Sequence, residues 1–197
     1  MNVTLGFKSH SGWAVMVAIA SNKTGPEVIT RRRIELIEEG ELWAKQPYHA
    51  AEHLPLPEAR KIVKNGINSA QRVAKRRLKE ILIACANSNL KVLACGVITP
   101  EPMPNWSSDE ILAVHFRMHK AEGVLFPDAL AKGAEANNIP LLAVREKRLD
   151  DISQKSFGRP VVGLMKDATE LGRTAGPPWG KDHKLATIAA MIALKEI

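Results

Sequence analysis

Three side chains that could do chemistry fall in one register. His115, His119 and Glu122 stand at i, i+4 and i+7 of a helical stretch and so share one face. Two imidazoles one turn apart with a carboxylate a turn further on form a donor set for Zn²⁺ or another transition ion. His119 and Glu122 also have the types needed for acid/base work. The plainer reading is a pair of solvated histidines on a helix, and no His-Glu-x-x-His pattern is present. A second pair, His49 and Glu52, lies in Pro47-Tyr48-His49-Ala50-Ala51-Glu52, which reads as a one-turn segment with exposed side chains. No cofactor is fixed by these spacings; a divalent metal (Zn, Mn or Mg) is the candidate.

Positioning these residues requires a fold, and the hydrophobic pattern supplies one. The chain has 197 residues, of which 45% are hydrophobic and 25% charged, the balance of one globular domain over 1–197. Val3 to Ile19 reads as a hairpin around Lys8-Ser9-His10-Ser11-Gly12. Val28 to Glu38 alternates like a third strand, and Arg31-Arg32-Arg33 inside it marks a sheet edge, where charge blunts unwanted pairing. A long helix is expected from Pro57 to about Asn87, with Val63, Ile67, Ala70, Ala74, Leu78 and Ile81 as its apolar stripe. Leu90 to Thr99 reads as a central strand. Ser107 and Glu110 match a capping box that opens a helix to about Asn137, bent at Gly123 and Pro127. Ile139 to Val144 is a further strand, 149–172 a loop or short helix, and Lys181 to Lys195 a closing helix. Right-handed crossovers then give a mixed five-stranded α/β sheet: three antiparallel strands followed by helix-strand-helix-strand-helix, with helices on both faces.

The absences narrow the function classes. No phosphate-binding Gly-rich loop, dinucleotide fingerprint, Cys-x-x-Cys pair or Gly-x-Ser-x-Gly elbow occurs. Cys85 and Cys95 sit in apolar runs and read as free buried thiols. The N-terminus carries no leader pattern and no run is long enough to span a membrane, so the expected location is the cytoplasm, with no membrane partner. A net charge of +7 admits an acidic partner, with nucleic acid the first candidate. Oligomeric state is not readable.

The opening Leu5-Gly6-Phe7-Lys8-Ser9-His10-Ser11-Gly12-Trp13-Ala14-Val15 resembles that of the RuvC-type resolvases of the ribonuclease H-like superfamily. There a strand of the form Leu-Gly-Ile-Asp leads through a Gly/Ser turn to Gly-Trp/Tyr-Ala-Val. The closing Asp182-His183-Lys184-Leu185-Ala186-Thr187-Ile188-Ala189-Ala190 is similar to that family's last helix, and the element order is the same. The chain also resembles a bacterial group with degenerate catalytic acids. The resemblance implies two Mg²⁺ held by carboxylates on the first strand, after the fourth strand and on the last helix. This sequence departs from it: Lys8 stands at the first position, Glu101 suits the second, and at the third Asp182 is followed by Lys184 and Thr187. Standard two-metal cleavage is therefore not expected.

Ligands of open α/β sheets bind outside the carboxyl ends of the strands. That edge should gather Lys8, Ser9, Ser11, Glu101, Glu146, Trp179, Asp182 and Lys184 together with His119 and Glu122. Trp179 reads as a hydrophobic plug or as a stacking platform for a base. Two functions remain open. One is binding of nucleic acid or a phosphorylated small molecule through Lys8 and Lys184. The other is a divergent metal-dependent nuclease or hydrolase acting through Glu101, His119, Glu122 and Asp182. Clustered carboxylates would favour the enzyme, and a lysine-lined pocket the binder.

Overall fold

The computed structural model describes residues 1–22 and 25–196. The strand β1 (Asn2–His10) turns at Ser11-Gly12 into β2 (Trp13–Asn22), and β3 (Gly25–Glu35) pairs antiparallel with β2. Gly12 has φ +88°, a conformation that L side chains rarely adopt. β4 (Lys91–Thr99) and β5 (Leu141–Arg145) are parallel additions, giving the order β3-β2-β1-β4-β5. This is the expected mixed sheet, with the Arg31–Arg33 strand at its edge.

The helices are α1 (Pro47–Ala50), α2 (Leu56–Asn87), α3 (Ser108–Leu112), α4 (His115–Glu135), α5 (Leu149–Phe157), α6 (Val161–Ala175) and α7 (Lys181–Glu196). Period-two alternation along β1 divides the core. Leu5 and Phe7 bury with Ala70, Ala74 and Leu78 of α2 and with Leu125, Phe126 and Leu130 of α4. Facing the other way, Thr4 donates its hydroxyl to the Ala190 carbonyl of α7 at 3.0 Å. A second cluster, with Val15, Val17, Ile19, Ile98, Leu164, Ile188 and Ala189, fills that side.

The closest approach is between α7 and the sheet. A Cβ on Gly6 would lie 1.8 Å from the Ala186 carbonyl oxygen, and one on Gly96 would lie 2.1 Å from that of Ala189. Two adjacent parallel strands thus carry glycine where the alanine face of α7 rests on them.

Some expected boundaries move. The helix expected over 107–137 is two helices, because Val114 is extended at φ −141°, ψ 110° and breaks the ladder before His115. The capping box forms as expected, Ser107 with Glu110. α4 runs on through Gly123 and Pro127. Residues 149–172 lie within two helices rather than a loop or one short helix, divided by Gly158 at φ 66°, with Asp150 accepting the Val161 amide at 2.8 Å. β5 starts at Leu141, since Pro140 has no N–H to give the ladder. Pro47 and Tyr48 of α1 are buried rather than exposed. Both cysteines are free and buried. No described helix is long and apolar enough to cross a membrane.

Candidate functional site

The carboxyl ends of β1, β4 and β5 open between α4 on one side and the start of α7 on the other. On the α4 side, Glu122 sets the geometry. It is 6% exposed. Its Oε1 accepts the amides of Tyr48 and His49, each at 3.1 Å, and its Oε2 meets Gln46 Nε2 at 3.3 Å and His49 Nδ1 at 2.6 Å. The first turn of α1 has no cap of its own, so a carboxylate from α4 satisfies its free amides. Burying a carboxylate is costly unless every oxygen is bonded, and here both are.

That carboxylate brings His49 onto α4. The ring of His49 lies 4.6 Å from His119 and 5.1 Å from His115, centroid to centroid. His115 Nε2 and His119 Nε2 are 3.1 Å apart. Three of the chain's six histidines thus meet, each offering a ligand nitrogen, with these atoms all within 4.8 Å of one another. His115 Nδ1 in turn lies 3.1 Å from Glu52 Oε1, and that bond holds the Glu52 carboxyl below its ordinary range.

Two hollows border this cluster. Ser9, His10, Ser11, Gln46, His119, Glu122 and Phe126 line a small one. A larger cleft of ≈ 610 Å³ is walled by Glu101, His119, Lys120, Glu146 and Lys147. His119 belongs to both.

On the α7 side, Lys8 Nζ pairs with Glu146 Oε2 at 2.8 Å, and Lys181 Nζ stands 3.6 Å from Oε1 of the same carboxylate. Burial raises the Glu146 pKa, but the two ammonium groups outweigh it and leave it below the ordinary carboxylate range. His10 stacks on Trp13 at 4.4 Å, and its Nε2 comes within 3.0 Å of Asp182 Oδ2. The approach is off the line of a hydrogen bond, so that buried nitrogen has no bonded partner among the described residues. Lys184 is half-buried on α7. Trp179 donates its indole N–H to the Ala168 carbonyl at 2.8 Å and packs against Gly172, with the Arg31 guanidinium 5.8 Å from its centroid.

Part of the expected constellation is brought to one edge, divided between the two sides of the sheet. Ser9, Ser11, His119 and Glu122 gather on the α4 side, Lys8, Glu146 and Asp182 on the α7 side, and the larger cleft joins His119, Glu101 and Glu146. Trp179 is anchored against α6 and lines neither hollow. Glu122 points at His49 and the α1 amides, not at the His115–His119 pair. His49 is the residue sequence spacing passed over. Its signal was the His49/Glu52 pair, which looked local because its partners lie more than sixty residues away.

No family model and no curated protein matches the sequence. Solved structures do match. A Thermus thermophilus RuvC structure is similar over 98% of this chain and 93% of its own, with a TM-score of 0.53 and 11% identity. T. thermophilus RuvC in complex with a Holliday junction substrate is similar over 100% of this chain and 94% of its own, with a TM-score of 0.56 and 9% identity.

Proposed function

We propose, with the ribonuclease H-like fold of the RuvC kind as the premise, that this chain binds nucleic acid in the cleft at the carboxyl ends of β1, β4 and β5 and does not cleave it by two-metal chemistry. The observation that carries the reading is the Lys8–Glu146 pair at 2.8 Å. At the first-strand position, where the related nucleases need a carboxylate for Mg²⁺, this chain holds an ammonium already matched to a carboxylate. The pair leaves no free carboxylate charge at that position to hold a divalent cation, and Lys181, 3.6 Å from the same carboxylate, adds a further positive charge. Lys120 and Lys147 on the cleft wall suit a phosphate backbone. One of the similar structures holds a Holliday junction, and the reading carries only the class of that ligand, nucleic acid, to this chain.

Fluorescence anisotropy with a four-way junction, a duplex and single strands, all in chelator, tests it. Binding should weaken several-fold in Lys120→Glu and in Lys147→Glu. No binding to any of the three at low salt would overturn the reading, and tighter binding of a mononucleotide than of any strand would assign the cleft to a phosphorylated small molecule instead. The hydrolase reading draws on His119, but Glu122 has both oxygens engaged and is not free to act as a base.

A further inference from the structure

We infer that His49, His115 and His119 form a mononuclear site for a borderline transition ion of the Zn²⁺ class, with Glu122 and Glu52 as the carboxylates that orient its ligands. The inference is independent of nucleic-acid binding. It differs from the His115/His119/Glu122 set that helical spacing suggests, in that a histidine from α1 replaces the carboxylate.

Three observations carry it. The first is spacing. Metal–nitrogen bonds of 2.0–2.1 Å at a tetrahedral centre place ligand nitrogens about 3.3 Å apart. His115 Nε2 and His119 Nε2 already stand at 3.1 Å, and all three ligand nitrogens lie within 4.8 Å. The second is tautomer control. Glu122 takes the Nδ1 proton of His49 at 2.6 Å and Glu52 that of His115 at 3.1 Å. Each carboxylate thereby leaves Nε2 with its lone pair, the form a metal requires, as in carboxylate–histidine–metal arrangements. The third is the mutual arrangement of the rings. Two Nε2 atoms facing each other can share only one N–H, so at least one presents a lone pair, and a third imidazole converges on the pair from 4.6 Å. An ion between them satisfies all three.

The donor chemistry selects the ion. Three imidazoles without thiolate suit Zn²⁺, Co²⁺, Ni²⁺ or Cu²⁺, whereas Mg²⁺ and Ca²⁺ demand oxygen. Three protein ligands leave the fourth position of a tetrahedral ion open to water or a phosphate oxygen. Because His119 also lines the cleft with Glu101, Glu146 and Lys147, the ion would sit in the wall of that cleft.

Titration calorimetry of the full chain with Zn²⁺, without nucleic acid, tests the site, with Co²⁺ and its visible absorption as a second probe of four-coordinate nitrogen ligation. Expected is one ion bound at micromolar affinity or better, weakened at least tenfold in His49→Ala and in His119→Ala. Glu52→Gln, at a half-buried carboxylate bonded to His115, should weaken it about tenfold through its effect on that ligand, with cooperative melting of the variant as the check on its fold. No heat and no Co²⁺ spectrum up to millimolar metal would overturn the inference. So would binding that survives His49→Ala/His119→Ala in a variant that still melts cooperatively, since the ion would then lie elsewhere. His119→Gln replaces any alanine variant that fails to fold.

Discussion

Glu122 does structural work that its helix position conceals. Removing one partner from a buried, fully bonded carboxylate strands several donors at once. Glu122→Ala should therefore cost about 3–5 kcal/mol in urea denaturation, and Glu122→Gln, which still accepts the α1 amides, about 1–3 kcal/mol. Loss of less than ~0.5 kcal/mol in the alanine variant would mean that α1 is held by packing alone. Lys8 is the second decisive residue. Lys8→Asp sets a carboxylate against Glu146, so it should destabilise the fold without creating Mg²⁺-dependent cleavage of junctions, RNA–DNA hybrids or single strands. Robust cleavage by the native protein, abolished by Glu101→Gln or Asp182→Asn, would show that two-metal chemistry survives. Two depressed pKa values contribute to the pH dependence. Burial, with help from Arg31, holds His183 below its ordinary 6.5, and Lys8 and Lys181 hold Glu146 below 4.5. In both cases the unfolded chain binds the proton more readily, so the stabilisation is complete above the unfolded pKa and is lost as pH falls through the folded one. Melting temperature should fall from pH 7 to 5 through His183 and further below pH 4.5 through Glu146. The step below pH 4.5 should shrink in Glu146→Gln, with the remainder belonging to Glu52 and other paired carboxylates, and an unchanged step would remove Glu146 as a source.

Among the elements, the glycine–alanine contact under α7 is the most exacting. The added methyl of Gly6→Ala or Gly96→Ala meets backbone oxygen, which cannot rotate away, so α7 must lift. Each should cost at least about 2–3 kcal/mol by urea denaturation, more than Gly123→Ala, where nothing lies within 4 Å. Equal costs would show that α7 rides more loosely than this. Much of the layout was legible in the chain because strands and helices carry their own local signals: the Val28–Glu38 alternation, the stripe from Val63 to Ile81, the Ser107/Glu110 box. What was not legible has a common cause. The Val114 break contains neither Gly nor Pro. The burial of α1 depends on a carboxylate from α4, and the role of His49 depends on that burial. A four-residue helix has no periodicity to read, and its partners lie far along the chain.

For the whole molecule, charge and shape act together. A chain of net charge +7 with lysines on the wall of its strand-end cleft should bind nucleic acid with a strong salt dependence. A log–log slope of about −3 to −5 is expected for three to five neutralised phosphates. Anisotropy titrations from low to physiological salt measure it, and a slope near zero would remove backbone contact as the source of affinity. The sheet order brought Lys8, Glu101, Glu146 and Asp182 to one end as the sequence suggested. That Lys8 and Ser9 face opposite sides of it follows from the pleat, which turns Lys8 with Thr4 and Gly6 toward α7, and Ser9 with Leu5 and Phe7 toward α4.

The seam between Gly6, Gly96 and the alanines of α7 also makes this fold a workbench. A helix seated on bare backbone has no slack to slide or roll, so whatever side chain is mounted at Lys184 starts from a fixed origin relative to β1. An engineer wishing to graft new chemistry at the strand ends can treat α7 as a rail. The substitutions to explore lie along its partly exposed first turn, while the seam itself is left untouched.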